Sequence, residues 1–344
     1  MKLISIDGGG IKGLYSATAL AKIEERYNVR IDGHVDVIAG TSIGGIIALG
    51  LAAGKRPSEM VEFFLKHGSK IFSSGWFGSY FRRLFSLVRP LYRNTKLKEA
   101  CKAFFGNETR LKDLSTRAAD GVQRPSVCIP TVNLGTGRPK VFKTPHHESL
   151  YLDKNYRVWE VALATAAAPY FFPVFKLTLD GGRRNAGLDE YYIDGGVWGN
   201  NPIMVALTEA LTYAQSGDDS EPSELSKIQL LSIGNVPEPM GEATLKSVSR
   251  GFLQWGERLV TLPLHCQTET ADNMARLLLT HNQGAYLRIA NDGKLTPEQN
   301  ALIVLDKASH ESLNMLMQLA NDDVSRITAH GGYGDLWIRS FFGL

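Results

Sequence analysis

Cysteine is scarce: Cys101, Cys128 and Cys266 are the only ones in 344 residues. An odd number this widely spread offers no disulfide framework and no metal-ligand spacing, and predicts reduced thiols in an intracellular, cytoplasmic protein. No apolar run reaches the length of a membrane span, so any contact with a bilayer is expected to be peripheral. Charge of one sign is also lacking: the net +3 is too small by itself to imply a nucleic-acid polymer as partner. There is no internal repeat. Lys2 to Ile6 already reads as a strand, which leaves no room for a secretory leader in front of it. What remains is an ordinary globular composition, 44% hydrophobic and 21% charged, long enough for one large α/β domain or two smaller ones.

The chain is organised around the stretch from Val35 to Gly45. A run of β-formers ends at Gly40, and an apolar, helix-like run from Ile43 to Leu51 begins just past Ser42. Between them Gly40-Thr41-Ser42-Ile43-Gly44 has the Gly-x-Ser-x-Gly spacing of a nucleophile elbow. A serine on so sharp a strand-to-helix turn sits in strained backbone, and the flanking glycines let the turn close. Its hydroxyl then stands at the positive end of a helix, where an alkoxide is least costly.

A second glycine site precedes it. The strand from Leu3 to Ile6 runs into Asp7-Gly8-Gly9-Gly10-Ile11-Lys12-Gly13, followed by an amphipathic helix from about Leu14 to Tyr27. As a phosphate loop it fits poorly, because it lacks Gly-Lys-Ser/Thr and does not match Gly-x-Gly-x-x-Gly. As an oxyanion hole it fits well, since acyl transfer needs preorganised N–H donors beside the serine; Gly8, Gly9 and Gly10 are the candidates. A plain tight turn remains the alternative. A third site is Asp194-Gly195-Gly196, a carboxylate closing an apolar strand, placed where catalytic side chains sit in parallel sheets. Taken alone, Asp194 reads first as a helix-cap or turn residue. Asn201-Pro202 opens the next helix, to about Tyr213.

The stretch from Phe63 to Lys98 holds no Asp or Glu, and interleaves Lys66, Lys70, Arg82, Arg83, Arg89 and Arg93 with Phe72, Trp76, Phe77, Tyr80, Phe81 and Phe85. Basic residues alternating with aromatics suit anionic lipid headgroups or a nucleic-acid or nucleotide surface, or the aromatics are simply the core of an active-site cap. Pro125–Asn133 and Pro139–Lys143 read as a hairpin. His146 and His147 fall in a polar turn, with no third ligand near enough for a metal. A small-residue helix spans Val158 to Ala168, with strand-like runs at Pro169–Val174 and Lys176–Leu179. Another strand is expected at Ile228–Ile233, a long helix from about Leu245 to His281 broken near Pro263, a strand at Ala285–Ala290, and a surface helix at His310–Ile327. The glycine-rich end holds Trp337, Phe341 and Phe342, and suits a tail, a dimer contact or a lipid anchor.

In this arrangement the chain resembles the patatin-like phospholipases. Asp7 to Gly13 matches that family's Asp-Gly-Gly-Gly-x-Arg/Lys-Gly, Gly40 to Gly44 its Gly-x-Ser-x-Gly, and Asp194 to Gly196 its Asp-Gly-Gly/Ala, in the same order. Lys12 stands where arginine is frequent. Secondary marks are Ala164-Thr165-Ala166-Ala167-Ala168-Pro169, Asn200-Asn201-Pro202 and Leu231-Ser232-Ile233-Gly234. The likeness runs from about Lys2 to Ala320.

The resemblance implies a three-layer α/β fold with a mostly parallel sheet between helices, a phospholipase domain over residues 1–315, a cap about 63–98, and a helix and tail over 316–344. It implies a lipid acyl hydrolase with a Ser42–Asp194 dyad, needing neither metal nor cofactor. An aspartate of ordinary pKa, about 3.9, is a weak base for a serine, so it acts only if a dry pocket raises its basicity. A Ser-Asp-His triad using His265, His281, His310 or His330 stays open. Tyr286-Leu287-Arg288-Ile289 and Leu305-Asp306-Lys307-Ala308-Ser309 look like a bacterial branch that includes anti-phage effectors. That implies membrane phospholipid as substrate, a cyclic oligonucleotide as activator and antiviral membrane degradation, although the residues disclose no nucleotide site. A homo-oligomer remains open. The rival class is a non-catalytic or storage protein binding an anionic ligand on the glycine loop, which would need neither Ser42 nor Asp194.

Overall fold

The computed structural model describes residues 1–72, 89–114, 124–178, 189–213, 225–238, 240, 248–256 and 258–344. Much of the expected cap, residues 73–88, lies outside them.

Alternate residues of the first strand face different hydrophobic clusters. In β1 (Lys2–Ile6), Ile4 and Ile6 enter one cluster and Leu3 the other; in β2 (Val37–Gly40), Ile38 faces the first, and Val37 and Ala39 the second. Strands buried on both faces in this way belong between two helical layers, which is why their sequences are almost wholly apolar. One layer holds α1 (Gly13–Tyr27), α2 (Ile43–Ala52) and α3 (Pro57–Ile71). The small-residue helix α5 (Val158–Thr165), reached after α4 (Thr95–Phe105), belongs to the same cluster. The opposite layer holds α6 (Ile203–Tyr213) and α7 (Arg258–His281).

The sheet is parallel through its middle. β3 (Ser126–Asn133), β2, β1, β7 (Gln229–Ile233) and β8 (Ala285–Ile289) lie side by side in that order. The far end is antiparallel: β4 (Arg138–Lys143) pairs along β3 as the expected hairpin, and β5 (Phe175–Thr178) pairs β6 (Asp189–Asp194). β4 occupies one edge of β3 from Cys128 to Asn133. The other edge is therefore shared, by β2 up to Cys128 and by β6 from Thr131 to Asn133. β6 runs back toward the end of β2 and stops with Asp194 opposite Thr131. Asp194 thus reaches the carboxyl edge of the parallel strands on an antiparallel one, which corrects the expected strand direction.

Other expectations change as well. Residues 169–174 form turns rather than a strand, with Tyr170 at φ 74°. α7 continues through Pro263, because Ala271, Ala275 and Leu279 further along it are buried against the sheet and outweigh one lost backbone hydrogen bond. α8 (His310–Ile327) is only half a surface helix: Leu316, Ala320 and Val324 are buried. The boundary expected at 315 falls inside it. The last segment is no loose tail, since α9 (Tyr333–Phe342) places Trp337, Ile338, Phe341 and Phe342 in the core that also holds α1.

Candidate active site

The tight turn at Ser42 follows from three close approaches. A Cβ on Gly40 would lie 2.2 Å from the Gly44 carbonyl oxygen, and one on Gly44 2.4 Å from that of Ile6. Gly13 likewise packs against Ile43, where a Cβ would come within 2.5 Å of a side-chain carbon. Ser42 itself has φ 55° and ψ −123°, a conformation a serine holds only under constraint from its surroundings. It caps the N-terminus of α2, and its own N–H is donated to Thr165 Oγ1 at 2.9 Å.

The chain fold brings Asp194 to this serine. Its carboxylate is buried, lines the same cavity as Ser42, and accepts the Gly196 N–H on Oδ1 at 2.7 Å. Burial pushes its pKa up to about 7, while the neighbouring Ser42 side chain and the Gly196 N–H hold it from rising further. Gly195 is required by contact with β3, because a Cβ there would meet the Pro130 carbonyl oxygen at 2.2 Å.

The glycine loop lies beside the pair, and its amides differ. Gly8 donates its N–H to the Asn200 carbonyl at 2.9 Å, and its own carbonyl accepts from Asn235 Nδ2 at 2.8 Å. Gly8 is therefore a fixing point rather than an open donor, a correction to the expected trio. The N–H groups of Gly9 and Gly10 have no acceptor among the described residues. Gly10 has φ 57° and lies under Leu305, whose carbonyl accepts the Ile11 N–H at 2.9 Å. Asp7 anchors the loop from below through Arg288, at 2.6 Å. Lys12 is buried and paired with Glu238 at 3.1 Å.

All of this lines one cavity. Ser42, Asp194 and the Gly8–Gly10 loop share it with Phe64, Ile71, Phe172 and Leu264, an apolar space suited to a hydrocarbon chain. Of the histidines considered for a triad, His265 reaches the cavity but hydrogen-bonds neither Ser42 nor Asp194. His310 pairs with Asn314 and His330 approaches Asp335, both away from the site. His146 is not in an open turn: its Nε2 lies 2.8 Å from Oε1 of the buried Glu209, which also takes the Lys143 ammonium. Among the described residues no group of His, Cys, Asp and Glu has the makings of a metal site, and no helix is long and apolar enough to cross a membrane.

The supporting residues Asn200, Asn235 and Thr165 carried no assigned role in the sequence. Each nevertheless falls within or directly after one of the secondary marks, which was the signal available.

The patatin-like phospholipase family model matches residues 4–207. The chain is 33% identical over 363 residues to a cGAMP-activated phospholipase of Vibrio cholerae, covering 99% of this chain and 96% of that protein. It is 35% identical over 326 residues to one of Pseudomonas aeruginosa, covering 94% and 88%. Among solved structures, human GIVD cytosolic phospholipase A2 is similar at a TM-score of 0.46 and 10% identity, over 100% of this chain and 60% of that one. By that match and these identities the chain belongs to the patatin-like phospholipases, a family of serine ester hydrolases.

Proposed function

We propose that the protein hydrolyses acyl esters of membrane phospholipids through Ser42 and Asp194, and that a cyclic dinucleotide switches it on. The single observation that carries the reading is that Ser42, on its strained turn, and the buried Asp194 carboxylate line one apolar cavity together. Asp194 accepts the hydroxyl proton as Ser42 Oγ attacks the ester carbonyl. A base with a pKa of about 7 is far better matched to this transfer than an ordinary aspartate. The N–H groups of Gly9 and Gly10, held by Gly8's two fixed bonds, receive the oxyanion, and the N-terminus of α2 adds its positive end. Asp194 returns the proton to the leaving alcohol. Water then attacks the acyl-serine with Asp194 again as base, and the fatty acid leaves.

Activation is supported by the relatives described as cGAMP-activated, which match nearly the whole chain. Peripheral contact with the bilayer follows from the substrate, and membrane degradation in antiviral defence from the activator. The test is fatty-acid release from phospholipid vesicles, with chelator and with or without cGAMP, by wild type, Ser42→Ala and Asp194→Asn. Nucleotide-dependent release that is lost in both variants and indifferent to chelator supports every part. Full activity in Asp194→Asn sinks the dyad; activity indifferent to cyclic dinucleotides sinks the switch.

A further inference from the structure

One turn of chain, the end of α5, touches both members of the pair. The Thr165 hydroxyl accepts the Ser42 N–H at 2.9 Å and donates to the Pro130 carbonyl at 2.7 Å. Two residues later the Ala167 carbonyl accepts the Asp194 N–H at 2.9 Å. Pro130 precedes Thr131, the residue that Asp194 faces across the sheet. Thr165 is fully buried, and its methyl carbon lies against Gly45 in the first turn of α2.

Each contact constrains the serine. Ser42 is the N-cap of α2, so its amide has no carbonyl within that helix to bond and needs an outside acceptor. Its φ of 55° is strained for a serine and persists only if neighbours hold it. A threonine hydroxyl that donates to one carbonyl and accepts from one amide has its rotor fixed from both sides. Its β-branched side chain adds a stiff χ1. Valine has the same shape but cannot accept the amide; serine keeps the hydroxyl and loses only the methyl.

We propose that Thr165 is the positioning residue of the nucleophile, holding the strained Ser42 backbone at the rotation that presents its hydroxyl to Asp194. This rests on the Ser42–Asp194 reading above. Thr165 touches neither substrate nor the reacting atoms in this role. It acts through the Ser42 amide, while Ala167 fixes the partner from the same turn.

The experiment compares Thr165→Val, Thr165→Ser and Ser42→Ala by steady-state fatty-acid release across pH, under the conditions in which wild type turns over. Thr165→Val is expected to lose about 100-fold in kcat, the scale for misplacing a reacting group by an ångström, with KM little changed. Its acid limb should move to higher pH, because a displaced Ser42 side chain no longer holds the Asp194 proton affinity down. Thr165→Ser should keep kcat within about threefold of wild type, since the hydroxyl pairings survive. A wild-type kcat in Thr165→Val overturns the inference, as does an equal loss in both threonine variants with the limb unmoved, the mark of packing alone. Thr165→Ala serves in place of valine if that variant does not fold. An active Ser42→Ala would defeat the dyad itself; an inactive Ser42→Ala beside a wild-type-like Thr165→Val defeats only the role of Thr165.

Discussion

Arg288 Nη2 lies 2.6 Å from Asp7 Oδ2, joining the edge strand β8 to the residue that opens the glycine loop. Asp7 is buried; its Oδ1 has no partner in the described structure, and burial raises its pKa in spite of the guanidinium. Arg288 is itself held by Ser232 at 2.6 Å and by Asp272 at 3.3 Å. Removing one partner of a buried ion pair leaves a charge without compensation, at a cost of about 3–5 kcal/mol. Arg288→Met should therefore lower the urea midpoint strongly. Adding Asp7→Asn to it should restore much of the loss, because the charge left behind is then gone. Additive losses in a double-mutant cycle would show the two residues to be independent.

Asp194 sets a pH dependence with a definite sign. Only its carboxylate can take the Ser42 proton, so kcat/KM should rise with pH through about 7 and then level off. Stability moves the other way. A carboxyl whose folded pKa is raised from 3.8 to about 7 contributes stability below pH 4 that is lost as pH rises through about 7. At 1.36 kcal/mol per unit, that loss is at most about 4 kcal/mol. Asp194→Asn does not titrate there. It should gain stability relative to wild type between pH 4 and pH 8 while releasing no fatty acid. Urea unfolding at the two pH values reads the difference directly.

The glycine loop and the hairpin offer a matched pair of substitutions. Gly10 and Gly137 both have positive φ, 57° and 65°, so alanine costs each about 1–2 kcal/mol of backbone strain. At Gly137 a Cβ meets nothing within 4 Å; at Gly10 it would lie 2.3 Å from the Leu305 carbonyl that binds Ile11. Gly137→Ala should lose only stability. Gly10→Ala should also displace an oxyanion donor, lowering kcat by about 100-fold or more. Equal kcat in the two variants would remove Gly10 from the site.

The three motif sites were legible because each imposes a local backbone demand that glycine answers, and local demands leave marks in short stretches of sequence. Short apolar runs likewise marked β1, β2 and β7. What escaped depends on residues far apart in the chain. The direction of β6 is decided by which edge of β3 is free past Cys128, and the two-residue alternation of β6 is the same in either direction. The Gly8 amide looked available until Asn200 was folded onto it. The turn at His146 became an inside corner because Glu209 on α6 supplies a buried carboxylate there.

The glycine-rich end suits a tail, a dimer contact or a lipid anchor by sequence, yet Trp337 and Phe341 stand one helical turn apart and stack at 5.0 Å with Phe341 fully buried. Two tyrosines of α1 grip this region. Tyr15 donates to Asp323 Oδ2 at 2.9 Å, and Tyr27 to Asp335 Oδ1 at 2.8 Å. Because α1 follows directly from the glycine loop, α8 and α9 brace the helix on which the loop is mounted. Phe341→Ala should cost about 3–5 kcal/mol, the range for emptying a buried aromatic site. A chain ending at Thr328 keeps Tyr15–Asp323 but uncovers the Tyr27 end of α1. It should bind an apolar dye such as ANS and lose its cooperative urea transition. An anchor or a simple tail demands the opposite: both proteins would unfold at the wild-type midpoint, and only binding to vesicles or to a second copy would change.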